Sequence, residues 1–348
     1  MSRIMLCLLL LVTSVSPGWG AEIIGTLQKM SGRVTIRNTV TVAYQDARPG
    51  LALPEGVWIK TGKTGWADLK LIDGSTFTIA NNTEIELTRL VFGKQKREGL
   101  VNLVQGKLRA SIVKLAGQQT DIKVKSGTAV AGIKGTEFMM LTVGPANVFF
   151  GTAGTVSISG AAEEFFQPLH PQTMTETTRG FTPTDPVKIE PGTPLAEAMG
   201  ALSGITGAEP PLEWFTADNL PNIIARWNIN HGHYLADSGK YDQAIHVFQI
   251  AIDLSTNADI RADARMERGA VYGRFLNNPR AALAEYLLVL EEYPRIPKAE
   301  NALYQAGQVL TELGLLDQAR LRFNQYLTEF PNGRFRSSVE TLLKQLGK

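Results

Sequence analysis

The C-terminal third of the chain writes one pattern three times. Ala244 with Phe248, Ala282 with Tyr286 and Ala319 with Phe323 are each four residues apart, which stacks both members of a pair on one helical face. The alanines are spaced 38 and then 37 residues apart. Eight residues past each aromatic stands a helix stop, Thr256, Pro294 or Pro331. Twelve residues before each alanine lies a small residue, Gly232, Ala270 or Gly307, where one helix backbone can approach the next. No such hairpin buries its apolar face alone, so three in series predict a stacked helical array with a shared core. Residues 335–346, with Val339, Leu342, Leu343 and Leu346 on one face, predict a further helix that caps the open end.

The pattern resembles the tetratricopeptide repeat family. The resemblance rests on Gly239-x-Tyr241-Asp242-Gln243-Ala244-Ile245-x-x-Phe248, on Ala282-x-x-x-Tyr286 with Tyr293-Pro294, and on Gly314-x-x-Asp317-Gln318-Ala319-x-x-x-Phe323 with Phe330-Pro331. Unit two departs from it, with Asn277-Asn278-Pro279 at the turn. The resemblance implies a superhelix whose first helices line a concave groove. Carried over by register from the alanines, that groove presents Arg226, His233 and Asp237 from unit one, Glu267 and Arg274 from unit two, and Asn301, Tyr304, Gln308 and Glu312 from unit three. The lysines and asparagines with which the family clamps a C-terminal carboxylate are not reproduced. A peptide or a folded envelope protein is the expected partner.

At 348 residues, with 44% hydrophobic and 20% charged residues, the chain has the length and composition of two soluble domains. A formal charge of +2 gives no electrostatic reason to expect nucleic acid, whose binding needs a concentrated basic face. Arg3, the apolar run 4–15 and the small residues of Pro17-Gly18-Trp19-Gly20-Ala21 predict a signal peptide, residues 1–20, cut after Gly20. No transmembrane segment is expected in the mature chain. Cys7, the one cysteine, falls within the removed run, so the exported protein has no disulfide to rely on. A Gram-negative periplasm is the expected compartment, with secretion the other destination of such a signal.

In residues 21–160 the period changes to two. Ala67, Leu69 and Leu71 alternate with Asp68 and Lys70, Asp73-Gly74 makes a hairpin turn, and Phe77 and Ile79 continue inward. Further short runs at 84–87, 100–104, 107–113, 121–125, 137–143, 147–150 and 155–159 predict an all-β sandwich or roll. The whole is therefore α+β and multidomain, β first and helical array second. Gly74, Gly106, Gly135 and Gly154 sit between runs, where turns or bulges call for positive φ. A basic loop, 89–98, carries Lys94, Lys96 and Arg97.

These runs resemble the periplasmic FecR-like domain. The matching residues are Gly32-Arg33-Val34, Gly50-Leu51-x-Leu53-Pro54-Glu55-Gly56-x-Trp58-Ile59-x-Thr61-Gly62, Leu69-x-Leu71-x-Asp73-Gly74-Ser75 and Leu103-x-x-Gly106-x-Leu108. They continue through Gly132-Ile133-Lys134-Gly135-Thr136-Glu137-Phe138 to Thr152-Ala153-Gly154-Thr155-Val156. In the family's founding members the domain follows a transmembrane helix and a cytoplasmic segment that controls a sigma factor. Neither is legible here, so the resemblance implies only a periplasmic β module that binds a protein or a cell-wall component.

Nine of the 17 prolines fall in residues 161–221. Residues 161–220 therefore read as a proline-rich connector with edge strands at 173–177 and 186–189, a short helix at 195–202, and Trp214-Phe215 docking onto the first helix of the array, 221–348. No catalytic constellation emerges. His231 and His233 are two apart on a helix and diverge, Glu163-Glu164 and Glu291-Glu292 fall on different faces, and no G-x-S-x-G turn is present. No cofactor or metal is expected. The expected function is a non-enzymatic interaction adaptor in envelope assembly or signal relay. The rival is a glycan- or peptidoglycan-binding module whose repeats recruit an enzyme, with Trp58 and an outward-facing Trp66 as the sugar contacts.

Overall fold

The computed structural model describes residues 22–93, 95–208, 210–216 and 219–347. The expected signal peptide, with Cys7, and Lys94 lie outside the described residues. Among the described residues, seventeen strands precede nine helices.

Two sheets face each other across one core. The first runs in the order β4 (Ala52–Pro54), β1 (Ile23–Ser31), β6 (Trp66–Leu71), β7 (Thr76–Ile79), β9 (Lys96–Ser111), β12 (Glu137–Val143), β13 (Ala146–Ala153), β16 (Thr173–Thr177), β17 (Val187–Lys188). The second runs β3 (Gln45–Asp46), β2 (Val34–Arg37), β5 (Val57–Thr61), β8 (Glu84–Phe92), β9, β10 (Gln119–Lys125), β11 (Ala129–Ile133), β14 (Val156–Gly160), β15 (Phe166–Leu169). Strand β9 belongs to both. Its first half pairs with β8 and, in parallel, with β10, and its second half pairs with β7 and β12. The runs at 100–104 and 107–113 are thus one strand that changes sheet, as strands at sandwich corners do. Gly106 makes the corner: its φ is +105°, and a Cβ there would lie 2.4 Å from the Thr83 Cα. The inner faces, including Leu69, Phe77, Ile59, Ile85, Leu103, Leu108, Phe138 and Ile158, form the sandwich core.

Strands β12 and β13 are apolar on both faces, and this positions everything that follows. Phe138, Met140 and Phe149 point into the sandwich, whereas Met139, Leu141, Val148 and Phe150 point out into a second core. The ladder pairs Met139 with Phe150 and Leu141 with Val148. A strand buried on both faces reads as a continuous apolar run, and Phe138-Met139-Met140-Leu141 and Val148-Phe149-Phe150 are such runs.

The outer face is covered by helices. The segment after β15 adds β16 and β17 to the first sheet and then forms α1 (Pro194–Ile205), started by Thr193, whose hydroxyl accepts from the Ala196 amide, and by proline at its first position. Leu195, Ala198, Leu202 and Ile205 of α1, Phe215 of α2 (Leu212–Thr216), and residues of the first repeats join Met139, Leu141 and Phe150 in one cluster. Trp214 lies over Gly204 of α1 instead and stays half exposed. Each large apolar side chain so covered is worth about 1.5–3 kcal/mol, so the seam is held mainly by burial.

Three helical hairpins follow: α3 (Leu220–Asp237) with α4 (Tyr241–Leu254), α5 (Ala258–Arg274) with α6 (Pro279–Glu292), and α7 (Lys298–Glu312) with α8 (Leu316–Glu329). Helix α9 (Arg336–Leu346) closes the stack through Val339, Leu342, Leu343 and Leu346. Ala244, Ala282 and Ala319 are fully buried, and so, within 5%, are their aromatic partners. The rings press on glycines of the preceding helix. A Cβ would lie 2.5 Å from the Phe248 ring at Gly232 and 2.4 Å from the Phe323 ring at Gly307. In unit two the glycine is Gly269, 2.6 Å from the Tyr286 ring by the same measure, and not Ala270, which is only half-buried. The turn explains the offset: α5 and α6 are separated by residues 275–278, one more than in the other hairpins.

Two further expectations are corrected. Trp66 does point out of the sandwich, but that face is covered, and the ring is 2% exposed in the cluster shared with Leu202 and Ile205. Arg97 does not belong to a solvated basic loop. It is 1% exposed, ion-paired to Asp73, and donates to the Val113 carbonyl at 2.6 Å and the Thr120 hydroxyl at 2.7 Å.

Candidate functional site

The glycine register sets which side chains of the first helices form rows across the array. Six positions before each glycine stand Arg226, Asp263 and Asn301; one after, His233, Ala270 and Gln308; five after, Asp237, Arg274 and Glu312. The row Asp237, Arg274, Glu312 is exposed in all three units and alternates in charge. Arg226 and His233 are exposed too. Glu267 stands on none of these rows, yet its carboxylate meets His233 Nε2 at 3.3 Å and bridges α3 to α5. Asp263, which alanine-based register overlooks, pairs with Lys298 and bridges α5 to α7. Tyr304 is turned toward the cap: its ring stacks on Phe335 at 4.2 Å, and its hydroxyl accepts from the Gln308 amide at 2.9 Å. Asn301 is half-buried beneath the face. Removing His233, Glu267 or both in a double-mutant cycle should give a coupling below about 1 kcal/mol, because both groups are solvated. A larger coupling would mean that the pair is desolvated.

Beneath this face the helices are pinned by buried charge. Glu285 of α6 accepts from Arg268 at 2.6 Å and from Arg265 at 3.4 Å, and all three residues are at most 8% exposed. Arg265 also reaches Glu292 at 2.7 Å, and Arg268 reaches Gln249 of α4. Glu292 is thereby committed to an arginine network, and Glu163 is held between Lys123 and Lys125 at 2.6 and 2.7 Å. Neither carboxylate is free for acid/base work.

At the seam between sandwich and array the polar contacts converge mainly on two buried carboxylates, Asp253 and Glu176. Thr178 donates to the Asp253 carboxylate of α4 at 2.7 Å, Arg179 grips it with Nε at 3.0 Å and Nη2 at 2.8 Å, and Gln249 adds a fourth bond at 2.9 Å. Arg109 of β9 donates to the Ser203 carbonyl of α1 at 3.0 Å. Glu176 of β16 is 1% exposed and accepts from the amide of the fully buried Asn228 of α3 at 3.1 Å. Burial raises its pKa to about 8, against the opposing pull of the Asn228 hydrogen bond. Nothing in Met174-Thr175-Glu176-Thr177-Thr178 marks this carboxyl as buried, since its alternation is that of an ordinary edge strand.

Among the described residues no group of three or more His, Cys, Asp or Glu side chains is placed to hold a metal ion. No described helix is long and apolar enough to cross a membrane.

This architecture agrees with two family models. Residues 58–156, from β5 into β14, match the FecR protein family, and residues 301–333, the third hairpin, match the tetratricopeptide repeat. A region that matches the FecR family thus precedes a helical array whose third hairpin matches the tetratricopeptide repeat. Among solved structures, one assigned as an anti-sigma factor from Parabacteroides distasonis is 15% identical, with a TM-score of 0.34 over 42% of this chain and 64% of its own length. This chain thus spans less than two thirds of that structure. The second tetratricopeptide domain of human RPAP3, in complex with an HSP70 peptide, is 22% identical, with a TM-score of 0.30 over 37% of this chain and 98% of its own length. No curated protein matches the chain. FecR and tetratricopeptide domains are regulatory or interaction modules, so the combination suggests protein interaction or signal relay.

Proposed function

We propose that the protein is an exported, non-enzymatic adaptor of the cell envelope, in which the FecR domain holds the helical array at a fixed angle so that the exposed first-helix face receives a protein partner. The observation that carries this reading is the apolar core shared by β12, β13, α1, α3 and α4, which makes the array an extension of the sandwich and leaves the Asp237, Arg274, Glu312 row facing solvent. Alternating charge on a rigid curved wall suits a peptide or protein of complementary pattern, with charge setting register and on-rate more than affinity. The glycan reading has lost its principal contact, because Trp66 is covered and Trp58 is half-buried with the Arg37 guanidinium 4.8 Å from its ring centre.

A photo-crosslinking residue placed in cells at Asp237, Arg274 or Glu312 should trap a discrete protein adduct. The same residue at Leu321, exposed on α8, should not. Equal trapping at both sites, or none at the first three, would contradict the assignment. Fractionation of the same cells should find the chain in the periplasm with Ala21 as its first residue. A cytoplasmic chain retaining Met1 would exclude the envelope role.

A further inference from the structure

Where the segment after β16 crosses the first hairpin, it roofs a cavity of about 400 Å³ that the first-helix face does not use. Its walls are Thr182 to Val187 on one side and α3 and α4 on the other, with Leu235 and Val247, at most 5% exposed, as apolar floor. The size is in the range of small-molecule sites and exceeds what packing defects leave.

Three features set its chemistry. His246 lines the cavity, 8% exposed, with its ring stacked on Phe181 at 4.3 Å and its Nε2 atom buried without a hydrogen-bond partner. That atom is closed to solvent, so the imidazole offers the cavity ring surface and no hydrogen bond. Second, the cavity carries one charge of each sign. Asp185 accepts only from the neutral amides of Gln167 at 3.3 Å and Gln243 at 3.2 Å, and Lys240 makes no ion pair among the described residues. Third, Tyr234 stands at the mouth, 65% exposed, backed by His231, which stacks on Trp227 at 4.7 Å.

We propose that this cavity binds a short peptide with both termini free, its carboxylate at Lys240, its ammonium at Asp185, and its side chain against Tyr234 and the Leu235–Val247 floor. Burial lowers the pKa of both imidazoles, to about 4 for His246, and Lys240 reinforces the effect at His231. Both rings are therefore neutral at pH 7, and the site balances to zero net charge. A zwitterion can meet both charges at once, and because both side chains are exposed they set its orientation more than its affinity.

Calorimetric titration of the mature chain at pH 7 with dipeptides bearing apolar, aromatic or acidic side chains tests this. At least one should saturate at one site per chain. N-acetylation or C-amidation of that dipeptide should each weaken it about two- to fivefold, the loss expected for one solvent-exposed charge contact. In Lys240→Met, amidation should no longer matter while acetylation still does; in Asp185→Asn, the reverse should hold. Both side chains are exposed, so both variants should melt within about 0.5 kcal/mol of the parent. Three results would overturn the proposal: no saturation by any dipeptide up to about 10 mM, the weak limit of specific binding; blocked peptides binding as well as free ones; or chitotriose binding in place of the peptides with the same dependence on Lys240 and Asp185. The site is separate from the first-helix face, so either reading can fail alone.

Discussion

Glu176→Gln should make the protein more stable at pH 9 and leave it nearly unchanged at pH 5. The carboxyl is enclosed between β16 and α3 with Asn228 as its hydrogen-bond partner, and burial lifts its pKa to about 8. The folded state therefore holds a proton that the unfolded state releases near pH 4.5. Below that pH both states are protonated and the stability is fully present. Between about 4.5 and 8 it declines, and above 8 the loss is complete, on the order of 4 kcal/mol for a shift of this size. Glutamine keeps the shape and an acceptor for the Asn228 amide but cannot ionise. The check is the difference in unfolding free energy between variant and parent across pH 5 to 9, which cancels groups titrating alike in both. A flat difference would show that Glu176 has solvent or a cation beside it. Because the group lies at the seam, opening of the sandwich–array contact should account for the parent's loss at high pH.

Phe323→Ala should cost about 3–5 kcal/mol, read as the fall in chemical-denaturation stability, since a fully buried ring leaves a cavity that the stacked backbones cannot close. The reciprocal change at its contact should also destabilise. A methyl at Gly307 would sit 2.4 Å from that ring, so Gly307→Ala should cost about 1–3 kcal/mol despite alanine's better helix propensity. Unit two separates packing from propensity. Gly269→Ala meets the Tyr286 ring and should behave like Gly307→Ala, whereas Ala270→Gly should lose only about 1 kcal/mol of helix propensity. If Gly269→Ala proved neutral and Ala270→Gly severe, the register of α5 against α6 would be wrong by one residue.

That single residue shows what the sequence could and could not disclose. The Ala-x-x-x-aromatic anchors lie within one helix, where spacing is fixed by 3.6 residues per turn, and all six are buried. The glycine partner lies across a turn, and turn length is free. The extra residue among 275–278 moved the contact to Gly269 and changed which unit-two side chains share rows with Arg226 and His233. In the sandwich, alternation placed Leu69, Leu71, Phe77 and Ile79 inward, since a period of two needs no knowledge of neighbours. It also sent Trp66 outward, and the direction was right. What alternation omits is a second layer upon the outer face, although Phe138-Met139-Met140-Leu141 carried the signal. The Arg265–Arg268–Glu285 network and the Glu176–Asn228 pair left no mark of any kind, because a buried charge and a solvated one are spelled with the same letters.

The rigid union of sandwich and array is tested most directly by calorimetry of residues 21–348 at pH 6. One endotherm, with the calorimetric enthalpy close to the van't Hoff value, is expected if the outer face of β12 and β13 and helices α1, α3 and α4 form one core. Two resolved transitions, one removing the far-ultraviolet helical signal while Trp66 stays buried, would contradict it.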